Sequence, residues 1–292
     1  CFIGDGDVFI ADGGKNRVYE TLWWGAGRYV EIAVETQQMT LVIDTLTFFE
    51  SRYPLDWEGR IEANDPRWKA SGLMALRTLQ MCAHETYMDC PYYEQLQYIG
   101  DTRIQMLVSY VVTADTNLPR KTLELLRKSI DGTFGLTRCS FPNKQEFFIP
   151  PFTLWWVAMV YDYALWRGDP AFIRTLMPDV RRVVEAFVQK IDAESGLLRS
   201  PDGWNFTDWV PDWTETTKSY RNWGVPPGGN PGDFSAVLNW HLVYTLGLLA
   251  ELETWLEEPE LAQRARRLAG SLAQSIDKVF WDATRNLYAD DV

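Results

Sequence analysis

From about Asp65 the apolar periodicity turns helical and returns to it in stretch after stretch towards the end of the chain. Helices with one apolar stripe each can bury those stripes only against one another, so these residues dictate a layered, mainly α body. Seven helical stretches are read: Arg67–Glu85, Tyr92–Ala114, Leu118–Ile130, Phe152–Arg167, Pro170–Lys190, Asp233–Leu256 and Pro259–Trp281. Asp65-Pro66 and Asp169-Pro170 are start signals, a capping side chain placed before a proline. The loops are short and no period of about 34 residues repeats, which favours a closed helical toroid over a solenoid.

Residues 1–60 read differently. Val8-Phe9-Ile10, Tyr29 to Val34 and Met39 to Phe48 have strand composition, with Gly13-Gly14-Lys15-Asn16 as a turn. So few strands do not make a sandwich of their own. They read as the last strands of a β-sandwich and a linker, leaving residues 61–292 as the helical part.

The 292 residues, 46% hydrophobic and 14% aromatic, suffice for one large core or a small domain beside a larger one. Forty acidic against 28 basic residues give a net charge of −12. Nucleic acid and an anionic membrane are therefore poor partners, and no apolar run of about 18 residues suggests a membrane span. Cys1, Cys82, Cys90 and Cys139 show no CxxC or Cys/His ligand spacing, and with only His84 and His241 available neither a metal nor any other cofactor is expected. Free thiols are. Cys1 is not a natural start, so a targeting segment is left open, and cytoplasmic, periplasmic and secreted locations all fit.

The stretch from Met88 to Arg103 spaces three carboxylates around a predicted helix start. With Pro91 as the first helical residue, Asp89 lies just before the first turn and Glu94 inside it. Tyr98, Asp101 and Gln105 follow Glu94 at spacings of four, three and four, which puts two carboxylates and a tyrosine on one face. Leu96, Ile99, Leu107 and Tyr110 point roughly the opposite way. By periodicity alone, the polar stripe reads as a solvated surface face.

The pattern Asp-Cys-Pro-x-x-Glu followed, after six residues, by Asp resembles the signature of the bacterial α-L-rhamnosidases of glycoside hydrolase family 78. The resemblance implies an (α/α)6 six-hairpin toroid, of which the seven helices are a little over half, preceded by the end of a β-sandwich. Trp24-Gly25-Ala26-Gly27-Arg28-Tyr29-Val30 is similar to that sandwich's closing strand. It further implies that Glu94 is the proton donor and that Asp89 and Asp101 hold the rhamnose hydroxyls. Tyr93 stands where an arginine usually precedes the glutamate. Tyr98, where a tryptophan is common, keeps an aromatic wall.

Tryptophan is the second signal, with fourteen in the chain. Trp166, Trp240 and Trp255, on helices, read as core. Trp204 and Trp209 lie in a non-helical Trp- and Asp-rich run, Pro201 to Trp213, followed by the Gly/Pro-rich run Gly224 to Gly232. Flat rings beside carboxylates suit a pyranose, whose C–H face stacks while its hydroxyls bond to Asp. Thr207-Asp208-Trp209 resembles the Gly-Asp-Trp loop of the family's sugar pocket, and Pro150-Pro151-Phe152-Thr153-Leu154-Trp155-Trp156 resembles the start of one of its inner helices. Asp208, Trp209, Trp204 and Trp155 are thus candidate binding residues.

The implied activity is release of terminal rhamnose from a glycoside or polysaccharide with inversion. The donor must hold a proton near neutral pH, which apolar or like-charged neighbours of Glu94 would favour. The general base is implied beyond Val292, so the fragment itself is expected to be inactive; Asp208 is the one substitute considered. Two alternatives stand: another (α/α)6 exo-glycosidase or polysaccharide lyase, and an inactive carbohydrate-binding relative. A lyase would need a basic pocket, and Arg103 is the one arginine near the motif.

Overall fold

The computed structural model describes residues 6–60, 62–213 and 223–290; Cys1 lies outside them. Within those residues seven α-helices form, each overlapping one predicted stretch: α1 (Arg67–Met81), α2 (Ile99–Val112), α3 (Asn117–Lys128), α4 (Pro150–Arg167), α5 (Pro170–Val188), α6 (Ala236–Trp255) and α7 (Pro259–Phe280). A short antiparallel hairpin of β1 (Trp281–Asp282) and β2 (Leu287–Tyr288) follows α7.

The helices sort into two layers according to how much of each surface is apolar. α4 is apolar almost all round, with Pro150 to Leu154, Trp156 to Val160, Asp162 and Tyr163 all buried. Such a helix needs neighbours on every side. α2 and α6 flank it, while α3 and α5 lie behind it. α5, by contrast, buries one stripe, Phe172, Ile173, Leu176, Met177, Val180, Val183, Val184 and Phe187, at helical spacing. α2, α4 and α6 form the continuous inner row, and α7 pairs with α6 as its hairpin partner. The result is an arc of a double-layered six-hairpin ring.

Local chemistry sets the helix ends. Asp169, at φ 49°, caps α5 by accepting a hydrogen bond from the Phe172 amide at 3.1 Å. Ahead of α1, Asp65 takes the Arg67 amide at 2.9 Å, although Pro66 holds the formal cap position. Ser235 caps α6 while donating its hydroxyl to Asp290, whose carboxylate also accepts the Gly228 amide. A two-pronged ion pair joins α5 to α6: Arg181 donates at 2.8 and 2.7 Å to Glu253, which is 1% exposed.

Three expectations need correction. Residues 6–60 carry no regular secondary structure, and the predicted strands at Val8–Ile10, Tyr29–Val34 and Met39–Phe48 are absent. A strand is stable only when a neighbour takes its amides and carbonyls, and no such neighbour lies among the described residues. Trp166 and Trp255 are exposed and Trp240 only half-buried; the core tryptophan is Trp156, fully buried, with its indole N–H donating to the Leu123 carbonyl at 3.3 Å. The inner row places Trp156 between layers, whereas the other two lie near helix C-termini. Finally, the helix carrying the carboxylate motif starts at Ile99, seven residues after the predicted Tyr92. Cys82, Cys90 and Cys139 are free thiols.

Candidate active site

The segment between α1 and α2 is a tied loop. Asp89 donates its amide to the Leu96 carbonyl and accepts the Leu96 amide on Oδ1, both at 2.9 Å, so the two ends of an eight-residue loop are clamped together. Gln95 at φ 55° breaks any helix running through it. The buried Gln97 side chain donates to the Phe141 carbonyl and accepts from Thr122, which commits that position to the core. These bonds outcompete the helix that Pro91 would otherwise start. Glu94 therefore sits on a turn over Pro91–Glu94, and the Cys90 sulfur accepts its amide at 3.3 Å.

The predicted stripe survives in a different form. Tyr98 donates its hydroxyl to Glu94 Oε2 at 2.7 Å, across the loop end, not along a helix. Asp101 lies in the first turn of α2, where the helix's free amides favour a negative charge. Gln105 reaches back to donate to the Met88 carbonyl at 2.6 Å and pins the loop to α2. Asp101 is exposed by surface area, yet neighbouring protein atoms partly desolvate its carboxyl. Burial, and then the nearby Asp89 and Glu94 charges, push its carboxyl above the usual range. Those couplings bring the three carboxylates into one electrostatic neighbourhood. Burial and the Glu94 carboxylate likewise push the Tyr98 phenol up, so it stays a hydrogen-bond donor.

Below this loop, α2, α4 and α6 converge on an Arg–aromatic cluster. Arg103 donates to Asp162 at 2.8 Å and to the Tyr244 hydroxyl at 3.0 Å, and its guanidinium lies 4.7 Å from the centre of the Trp155 ring. His241 packs on the other side of Trp155 at 4.1 Å. Its Nε2 is sealed from solvent without a partner; burial and then Arg103 drop its pKa to about 3, so the ring is neutral. Trp155, on α4, is therefore held by side chains from α2 and α6. The sequence reading missed Arg103, Asp162, His241 and Tyr244 as a group; the available signal was Asp162, a carboxylate inside an almost wholly apolar helix, which demands a buried cation.

The Trp/Asp run forms a loop against the N-terminal end of α4. Trp204, Phe206 and Trp209 pack as tilted and edge-on rings with centres 4.9–6.1 Å apart, and Trp223 closes on Trp209 at 6.5 Å. The backbone strap from Phe206 to Asp208 needs Gly224, at φ +67°, because a Cβ there would stand 2.5 Å from both the Phe206 ring and the Asp208 carbonyl. Asp208 is exposed, its Oδ1 accepting the Trp209 amide at 2.7 Å. Phe206 meets Phe152 of α4 at 6.1 Å, and the Phe152 ring would lie 2.8 Å from a Cβ at Gly100, beside Asp101. One ring pair and the approach of Phe152 to Gly100 thus link the Trp/Asp loop to the first turn of α2. Among the described residues no group of three or more His, Cys, Asp or Glu is disposed to hold a metal ion.

Residues 56–292 match the family profile described as the bacterial alpha-L-rhamnosidase 6 hairpin glycosidase domain. Among solved structures, the chain is similar to a GH78 family rhamnosidase of Bacillus sp. GL1, at 29% identity and a TM-score of 0.70, over 82% of this chain and 23% of that one. It is also similar to the rhamnosidase from Klebsiella oxytoca solved with rhamnose bound, at 27% identity and a TM-score of 0.63, over 78% of this chain and 41% of that one. An alpha-L-rhamnosidase from Aspergillus terreus, 16% identical, shares the fold at a TM-score of 0.64. The chain thus spans well under half the length of these relatives. No curated protein matches it.

Proposed function

Because the chain belongs to the bacterial alpha-L-rhamnosidase six-hairpin glycosidase family, we propose that it forms part of a glycoside hydrolase that releases terminal α-L-rhamnose with inversion. Glu94 is the general acid, giving its proton to the glycosidic oxygen; Asp89 and Asp101 accept hydrogen bonds from the sugar hydroxyls. Tyr98 orients the Glu94 carboxyl through its 2.7 Å bond. Trp209, Trp204, Trp155 and Asp208 supply ring faces and a further acceptor for the sugar. The general base, which inversion places about 6.5–9.5 Å from the acid, is not assigned.

The observation that supports this reading most is the company kept by Asp89, Glu94 and Asp101: Tyr98 bonds Glu94, and burial, then the Asp89 and Glu94 charges, push the Asp101 carboxyl up. Surface carboxylates with no role avoid such company. A site that receives a neutral polyol tolerates it, because hydroxyl donors relieve the repulsion when substrate binds.

The test is Glu94→Gln in the full-length protein, which keeps the shape and loses the proton. Hydrolysis of a rhamnoside with a poor leaving group should fall by roughly 10²–10⁴-fold, and that of an activated aryl rhamnoside far less, since it needs little protonation. Equal losses on the two substrates would remove Glu94 from the acid's role.

A further inference from the structure

The loop bearing Glu94 is held from outside the helices by two adjacent tryptophans. Trp24 stacks face to face on His84, ring centres 3.7 Å apart and planes 8° off parallel, on the turn that leads into Asp89. Trp23 stacks on Trp24 at 5.8 Å and donates its indole N–H to Gln95 Oε1 at 3.2 Å. Gln95 follows Glu94 directly, and its own amide donates to the Pro91 carbonyl at 3.0 Å, across the turn on which Glu94 sits. The Trp23 ring plane is thereby tied to the turn that carries Glu94, and 56% of the residue remains exposed.

An exposed indole whose orientation is fixed by both a stack and a hydrogen bond is a prepared surface. Which part of a substrate it meets follows from the chemistry of Glu94. A general acid must touch the glycosidic oxygen, so one side of it faces the sugar being released and the other the leaving group. Asp89, Asp101 and the aromatic loop on α4 account for the sugar side. Gln95 and Trp23 approach the acid's turn from the segment ahead of the helices instead. Exposed Tyr92 and Tyr93, edge-on to each other at 4.9 Å, stand on that same turn and extend the aromatic rim.

We propose that Trp23 walls the leaving-group side of the site and selects leaving groups that present a flat apolar face. This rests on the assignment of Glu94 as the acid. Such a face is offered by an aryl ring or by the C–H face of a second sugar, and the two sources are separable by substrate. The role is one of specificity, since Trp23 reaches the reacting atoms only through what it holds.

The experiment measures kcat/KM of the full-length protein and its Trp23→Ala variant on methyl, 2-phenylethyl and glucosyl α-L-rhamnosides, with free rhamnose as competitive inhibitor. The methyl and phenylethyl leaving groups have similar basicity, so protonation demand is held constant. Trp23→Ala should lose roughly five- to tenfold on the phenylethyl substrate, the glucosyl substrate, or both, and about twofold or less on the methyl one, with the rhamnose inhibition constant unchanged. Loss on phenylethyl alone identifies an aryl face, and loss on glucosyl alone a sugar face. Trp23→Leu, apolar but not flat, should behave like Ala and replaces it should Ala fail to fold. Equal losses on all three substrates, no loss on any, or weakened rhamnose inhibition would overturn the proposal. A wild-type protein that hydrolyses none of them overturns the rhamnosidase reading and this inference together, whereas an active wild type with an indifferent Trp23→Ala overturns this inference alone.

Discussion

Trp209 offers a test in which a structural and a ligand-binding role give opposite results. The residue is 59% exposed, so about two-fifths of its surface is withdrawn from water, mostly against Phe206 at 4.9 Å and the edge of Trp204 at 6.1 Å. Truncating a fully buried tryptophan to Ala costs about 3–5 kcal/mol; scaled by the buried share, Trp209→Ala should cost roughly 1–2 kcal/mol. At about 2–4 °C per kcal/mol for a chain of this size class, the melting temperature drops by roughly 2–8 °C. Trp156→Ala is the internal standard: fully buried, it should show the whole 3–5 kcal/mol, about two to three times as much. The exposed three-fifths of Trp209 is the part available to a sugar, and losing one stacking face worth about 0.5–1.5 kcal/mol should weaken rhamnose binding roughly two- to tenfold by calorimetry. Trp156→Ala, where it folds, should leave binding within error. A Trp209 variant as destabilised as the Trp156 variant, with rhamnose affinity unaltered, would refute the argument and detach the aromatic loop from the sugar site.

Asp101→Asn should raise stability while weakening binding. With its carboxyl pushed above the ordinary 3.8 by burial and by Asp89 and Glu94, the folded protein holds this proton more tightly than the unfolded chain, so its contribution to stability falls as pH rises through that interval. The variant should therefore melt above wild type at about pH 7 and match it near about pH 3, while rhamnose binding drops by about 1.5–3 kcal/mol; a variant that melts lower at neutral pH contradicts the repulsion. In the fold itself, Arg181→Ala strands the buried Glu253 carboxylate and should cost about 3–5 kcal/mol in denaturant unfolding. Arg182→Ala, whose exposed guanidinium reaches Asp179 at 3.1 Å while Arg127 also holds that carboxylate, should cost under about 1 kcal/mol, and equal effects would mean that Glu253 finds another partner.

What was legible in the sequence was what repeats locally. Seven stripes at helical spacing gave seven helices, because a stripe such as Phe172–Phe187 of α5 depends only on its own residues and on there being something apolar to meet. The start of α2 was misplaced for the opposite reason. Nothing in the order Pro91–Tyr98 shows that the Asp89 carboxylate and amide partner Leu96 or that Gln97 is taken by Phe141, 44 positions away. Propensity lost to tertiary hydrogen bonds, and the carboxylates nevertheless came together, since the motif encodes a loop closure and not a helix face. The same limit hid the Arg103–Asp162 pair, separated by 59 positions, and the Trp23–Gln95 bond, separated by 72. A catalytic constellation has to be assembled this way. Side chains at i and i+4 on one helix stand about 6 Å apart and lean in one direction, whereas an acid that must face a leaving group on one side and sugar carboxylates on the other needs donors arriving from several elements at different angles. In this chain most of the proposed site residues, Asp89, Glu94, Tyr98, Trp204, Asp208 and Trp209, lie where the helical periodicity breaks, whereas Asp101 and Trp155 lie on α2 and α4.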